Sequence, residues 1–239
     1  MSERVLVIGG TRGTGFEIVR LLLRDGYRVR ALARNPAKAQ KKFSLFSAAV
    51  EIMAGDITKP GSLPSAMRDV EHSIFTVGVA SRPTGEKLII ETEYEGVKNV
   101  LAAAREAQFK GRFLYMSSIG VTRPSAAATL LNLIKRNNLR WRKRAEEEIR
   151  KSGFDYTIIR SGFLNNRPGG KRTIEVGQGE YPLALKYRIS RADIAEVFVQ
   201  SLAHPKTRRT TFDAVWGEEE TDRKGWDAIF AKLRPDEQA

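Results

Sequence analysis

Apolar positions change period twice within the first stretch of the chain. Val5-Leu6-Val7-Ile8 is an unbroken, mostly β-branched run, the pattern of a strand buried on both faces. Residues 9–15 are glycine-rich, and apolar side chains then fall at 18, 19, 21, 22 and 23 before Asp25-Gly26, which predicts a helix over 16–24 with a glycine stop. Residues 27–33 alternate as a second strand. Strand, helix and strand in about thirty residues is the length of a βαβ crossover.

The rhythm continues. Helical periods are predicted over 38–46, 62–68, 87–108 and 129–151, and strands over 50–53, 73–77, 112–116 and 156–159. Alternation of this kind predicts an α/β, Rossmann-type doubly wound parallel sheet. After residue 160 the pattern loosens into a loop at 165–170, a short strand and a glycine turn at 177–179. A helix over 190–202 follows, with Ser190 and Asp193 at capping-box spacing, then a strand over 210–215 and a terminal helix over 225–233. No repeat or low-complexity linker interrupts the chain. The expectation is one domain over 1–239, with a small C-terminal extension, 161–239, contributing the substrate side.

Composition narrows the chemistry. The 239 residues include no cysteine and two histidines, which excludes disulfides, thiol nucleophiles, Cys-ligated zinc, iron–sulfur clusters and a multi-histidine metal site. No metal centre is expected. His72 opens a strand and His204 follows a helix end, both positions that suit structural roles. Asp193 reads as a helix-start residue, and Trp141, Trp216 and Trp226 are too scattered for a base-stacking platform. With no apolar run of about 18 residues and no leader pattern, the expectation is a cytoplasmic protein without a membrane partner.

The formal net charge is +13, with 26 Arg against 15 Lys. Such a balance favours polyanions and phosphorylated small molecules. Residues 135–144 (KRNNLRWRKR) hold six basic side chains, but Glu146, Glu147 and Glu148 follow at i,i+3 and i,i+4 offsets. A solvated helix face therefore outweighs a nucleic-acid surface. The pattern leaves monomer and homodimer both open.

The most informative segment is Gly9-Gly10-Thr11-Arg12-Gly13-Thr14-Gly15, between the first strand and first helix. Glycines there let the backbone approach a pyrophosphate, whose charge rests on the helix N-terminus. In NAD-preferring sites an acid about 20 residues farther on binds the ribose 2′-hydroxyl. Here residues 26–50 contain no acid; Arg34 stands in that place and Arg12 lies within the loop. Two guanidiniums near one ribose favour a 2′-phosphate, hence NADP(H) over NAD(H).

Taken with Ala54-Gly55-Asp56-Ile57, Phe113–Gly120 (FLYMSSIG) and the stretches 29–38, 95–104, 143–159 and 189–195, the chain resembles an atypical short-chain dehydrogenase/reductase. The likeness is to the NAD(P)H-binding, NmrA-like and biliverdin-reductase-B-like kind. The resemblance implies that Gly9, Thr11, Arg12, Gly13, Thr14 and Gly15 hold the phosphates and Arg34 the 2′-phosphate. It implies Asp56 on the adenine amino group, Ile57 beside the ring, and Val77-Gly78 under the adenosine ribose. Met116, Ser117 and Ser118 would end the active-site strand, with Ser118 as the catalytic serine. Lys143 would bind the nicotinamide ribose, and Ser161, Gly162, Phe163 and Leu164 the carboxamide.

One departure bears on mechanism. The main short-chain branch places a tyrosine four residues before the lysine, where this chain has Leu139. Hydride transfer then relies on positioning, with Ser118 or water as proton source. This suits a quinone, flavin, tetrapyrrole or other planar acceptor. Two other readings stand beside a reductase: a non-catalytic NADP(H)-binding redox sensor, and a basic RNA- or complex-binding scaffold. On the substrate side the pocket is expected between loops 79–86, 121–132 and 165–187, with Arg82, Arg123 and Arg167 in them and an apolar wall over 126–134.

Overall fold

The computed structural model describes residues 2–79, 85–123, 129, 137–179, 181–218 and 225–237. Its centre is an eight-stranded sheet. In chain order the strands are β1 (Arg4–Ile8), β2 (Arg28–Ala33), β3 (Val50–Ala54), β4 (His72–Phe75), β5 (Arg112–Ser118), β6 (Asp155–Ser161), β8 (Ile174–Gly177) and β10 (Thr210–Trp216). They lie in the order β3-β2-β1-β4-β5-β6-β10-β8, parallel except for β8, which pairs antiparallel with β10. The chain winds outward from β1 to β3, then crosses back to β4 and winds the other way. The crevice at the carboxyl ends of β1 and β4 is thus the topological switch point, where folds of this kind bind ligands.

Strand periodicity sorts the core into two layers. On β1, Val5 and Val7 face one layer while Leu6 and Ile8 face the other. The first layer packs against α1 (Gly13–Arg24) and α7 (Arg191–Ala203), through Ile18, Val19 and Leu22 on one and Ile194, Val197 and Phe198 on the other. The second packs against α3 (Pro64–Met67), α5 (Gly96–Glu106) and α6 (Asn138–Lys151), through Met67, Val97, Val100, Leu101, Ala145 and Ile149. Helices on both faces explain why the central strands read as continuous apolar runs.

Several predicted elements differ. The helix expected over 38–46 is α2 (Pro36–Lys42), started by the Asn35 side chain accepting from the Lys38 amide; a tight turn follows. The long helix expected over 87–108 splits into α4 (Glu86–Ile89), a wide π turn (Ile90–Glu95) and α5. That turn rotates Glu93 into the interior, where it is 1% exposed. Of the helix expected over 129–151, residues 130–136 lie outside the described residues; Asn137 has a left-handed φ of 62°, and α6 starts one residue later. The terminal helix shortens to α8 (Trp226–Phe230).

The C-terminal stretch is also more central than a substrate-side appendage. β10 is the seventh strand of the main sheet and α7 packs along α1. Among the described residues, only β7 (Phe163–Asn165) and β9 (Arg188–Ser190) form a separate two-stranded ribbon.

Candidate functional site

The glycine loop is built for close backbone approach. A Cβ at Gly15 would lie 2.3 Å from the Gly9 carbonyl oxygen and 2.6 Å from Thr76 Oγ1. Gly9 and Gly13 have φ of +94° and +54°, a region that disfavours side chains. Thr76 pins the turn, its hydroxyl and its amide both donating to the Ile8 carbonyl. Thr14 opens α1 with a buried hydroxyl that has no protein partner. A narrow glycine cradle, a helix N-terminus and an orphaned hydroxyl together fit a diphosphate. Arg12 is exposed at the loop.

The adjoining strand ends carry the other predicted contacts. Arg34 follows β2 and is exposed, and no acidic side chain faces it from the acid-free stretch behind it. Asp56, after β3, accepts from the Thr58 amide and hydroxyl at 3.0 and 2.9 Å, which leaves its second oxygen uncommitted. Ile57 is buried and packs on Gly96, where a Cβ would meet Ile57 Cδ1 at 2.8 Å. Val77 and Gly78 leave β4 in open loop, the strand stopping at Phe75 rather than 77.

At β5 and α6 two neighbouring cations differ in burial. Lys143 is exposed, whereas its neighbour Arg142 is buried. Successive helical positions differ by about 100°, so one residue of register decides which cation turns inward. Arg142 Nη1 donates to the Met116 carbonyl at 3.1 Å. Its Nε makes a 2.6 Å ion contact with Glu93 Oε2, closer than a well-aligned hydrogen bond. Glu93 Oε1 accepts from the Val79 amide at 2.7 Å. Burial by itself would lower the Arg142 pKa; Glu93 overrides it and the net direction is upward, so the guanidinium is a fixed charge. A Cβ at Gly78 would lie 2.7 Å from Arg142 Nη2, so glycine there makes room for the cation. Glu93 stands roughly where the extended short-chain branch often has a catalytic Asn, whereas Arg142 is hidden in the sequence by the run of like charges around it.

Around these ends lie Ser117, buried with an unpartnered hydroxyl, and Ser118, whose hydroxyl donates to the Ile119 carbonyl. Met116 is partly buried against the core. Ser118 lies opposite Ser161 on β6. Gly162 allows the ribbon to close on β6, since a Cβ would stand 2.7 Å from the Tyr187 carbonyl oxygen. Phe163 belongs to an apolar cluster with Ile119, Val121, Leu139, Leu183, Val215, Tyr181 and Tyr187; Leu164 packs toward the main core. Leu139, in the tyrosine's place, is thus a packed core residue, and the two tyrosines of this cluster come from the C-terminal stretch.

Of the expected loop residues, Arg123 and Arg167 are exposed. Arg82 and the wall over 126–134, Thr129 excepted, fall outside the described residues. The histidines and tryptophans take structural places. His72 Nδ1 accepts from the Arg112 amide and burial lowers its pKa; His204 ends α7 against Asp227 and Phe230. Asp193 starts α7, bonded to Ser190, the Gly170 amide and Trp216 Nε1. Trp141 packs on Tyr94 and Trp226 on Phe230. Glu146 turns inward to Arg160 and Arg150 rather than to the basic run before it. No described helix is long and apolar enough to cross a membrane.

A family model described as NAD(P)H-binding matches residues 9–205. Sanguinarine reductase of Eschscholzia californica is 29% identical over 224 residues, covering 79% of each chain. Protein TIC 62 of Pisum sativum is 28% identical over 220 residues, covering 84% of this chain, which spans only 40% of that protein's length. Among solved structures, a Bacillus halodurans protein of the NAD-dependent epimerase/dehydratase type superposes with a TM-score of 0.80 at 22% identity. That alignment covers 92% of this chain and 96% of the other. At this identity the likeness speaks for the fold alone.

Proposed function

The chain belongs to the NAD(P)H-binding family, and from that premise we propose that it is an NADPH-dependent reductase delivering hydride to a small planar acceptor. The observation that carries the reading is the junction of two features at one switch point. A glycine cradle with an orphaned hydroxyl meets an acid-free, arginine-bearing end of β2. Gly9, Thr11, Gly13, Thr14 and Gly15 would hold the diphosphate. Arg12 and Arg34 would share the 2′-phosphate, Asp56 and Ile57 would take the adenine, and Val77 and Gly78 would line the ribose.

NADPH held there would supply a hydride, that is, two electrons, to the acceptor. The chain supplies the rest. Arg142, fixed by Glu93 and the Met116 carbonyl, takes the positioning role first expected of Lys143. Ser161, Gly162, Phe163 and Leu164 border the carboxamide side. The apolar cluster ends in the partly buried rings of Phe163, Tyr181 and Tyr187, and this favours a planar acceptor. Ser118 or water provides the proton, since Leu139 cannot.

Titrating the protein with NADPH and NADH tests the cofactor. NADPH should bind at least several-fold more tightly, and Arg34→Ala or Arg12→Ala should erase much of the difference, each lost charge-assisted bond being worth roughly 1.5–3 kcal/mol. Equal affinities in the unmutated chain overturn the preference. A panel of quinones, flavins and aldehydes tests turnover. Tight NADPH binding with no oxidation across the panel transfers the site to a redox sensor, the reading that the packed Leu139 favours.

A further inference from the structure

We propose that Arg191 binds the cofactor diphosphate and ties occupancy of the glycine loop to the position of the substrate-side loop 165–170. The inference rests on the dinucleotide reading of the site. α7 packs along α1, and the starts of the two helices meet: a Cβ at Gly13 would lie 3.5 Å from Arg191 Nε and 3.7 Å from its Cδ. The Arg191 side chain therefore lies across the mouth of the glycine loop. No carboxylate among the described residues forms an ion pair with it. Among the described residues its one side-chain bond runs from Nη1 to Asn166 Oδ1, at 2.7 Å.

A partly exposed guanidinium without a counter-ion, set beside the N-terminus of a helix, is a place for an anion. The planar fork suits two oxygens of a diphosphate better than an ammonium does. The far side of Arg191 faces a loop already stitched to the same helix start. The Gly170 amide donates to Asp193 Oδ1, Asn165 Nδ2 donates to the Ile189 carbonyl, and a Cβ on Gly169 would meet Ala192 Cβ at 2.9 Å. Asn166 is where that loop touches the phosphate side. A diphosphate that fixes the guanidinium therefore also fixes Asn166, so cofactor binding orders the acceptor loop before the acceptor arrives.

Binding measurements with two probes test this. NADPH carries the diphosphate; 2′-AMP carries the adenosine 2′-phosphate without it. Arg191→Ala should weaken NADPH about ten- to a hundredfold and leave 2′-AMP within about twofold. Arg191→Gln, closer in size, carries the same expectation should the alanine variant fail to fold, as thermal melting will show. Asn166→Ala should leave NADPH affinity within about threefold, yet remove the NADPH-induced protection of the Gly170 amide from hydrogen exchange. Unchanged NADPH affinity in the Arg191 variants overturns the proposal, as does an equal loss for both probes or protection surviving in Asn166→Ala. An unmutated chain that binds neither NADPH nor NADH overturns the cofactor reading itself, a different result from any of these.

Discussion

Helix α6 carries two buried ion-pair clusters one turn apart, and they are built differently. At Glu146 the network is closed. Arg160 donates Nε and Nη2 to the two Glu146 oxygens and Nη1 to Thr122, while Arg150 reaches Glu146, Thr211 and Asp236. Asp236 in turn accepts from the Tyr156 hydroxyl and the Thr211 amide, which ties down the last described turn of chain. At Arg142 the cluster is open. Nη1 donates to the Met116 carbonyl and Nε lies in ion contact with Glu93 without a hydrogen bond, while Nη2 stands over Gly78 with no acceptor among the described residues. A closed network spends its donors on the fold; an open one keeps a donor for a ligand. Both belong to one helix, so burial of charge alone does not mark a site; in the proposed reading the uncommitted donor does.

The sharpest way to break this contrast is Glu146→Ala. It strands Arg160 and Arg150 without their shared carboxylate, and a loss of about 3–5 kcal/mol in urea unfolding is expected. A loss below about 1 kcal/mol would mean that the closed network contributes little to the fold. Next comes Gly78→Ala. Its methyl group pushes on the far end of the Arg142 side chain, so stability should change by less than about 1 kcal/mol. Single-turnover hydride transfer should nonetheless slow about ten- to a hundredfold, as misplacing a positioning group by an ångström can do. An unaltered rate would remove Arg142 from the site. The smallest effect is expected of Lys143→Ala, which should leave unfolding within about 0.5 kcal/mol, as for an ordinary surface residue, and hydride transfer unchanged. A large rate loss there would restore Lys143 and reverse the assignment.

The order of strands and helices, the glycine loop and the acid-free end of β2 were all legible in the sequence. Each is a local property: a period of two or 3.6, a glycine that only a turn needs, a charge missing from a fixed offset. Tertiary structure decided the rest. Whether 142 or 143 turns inward depends on where α6 starts, directly after the left-handed residue Asn137. The inward turn of Glu93 depends on a π segment that no residue pattern announces. Arg191, 178 positions beyond Gly13 in the sequence, reaches the glycine loop only because α7 packs on α1. Local periodicity fixes which face of an element is apolar. The register between elements is fixed by packing across the sheet, and packing therefore chooses which charges meet at the site.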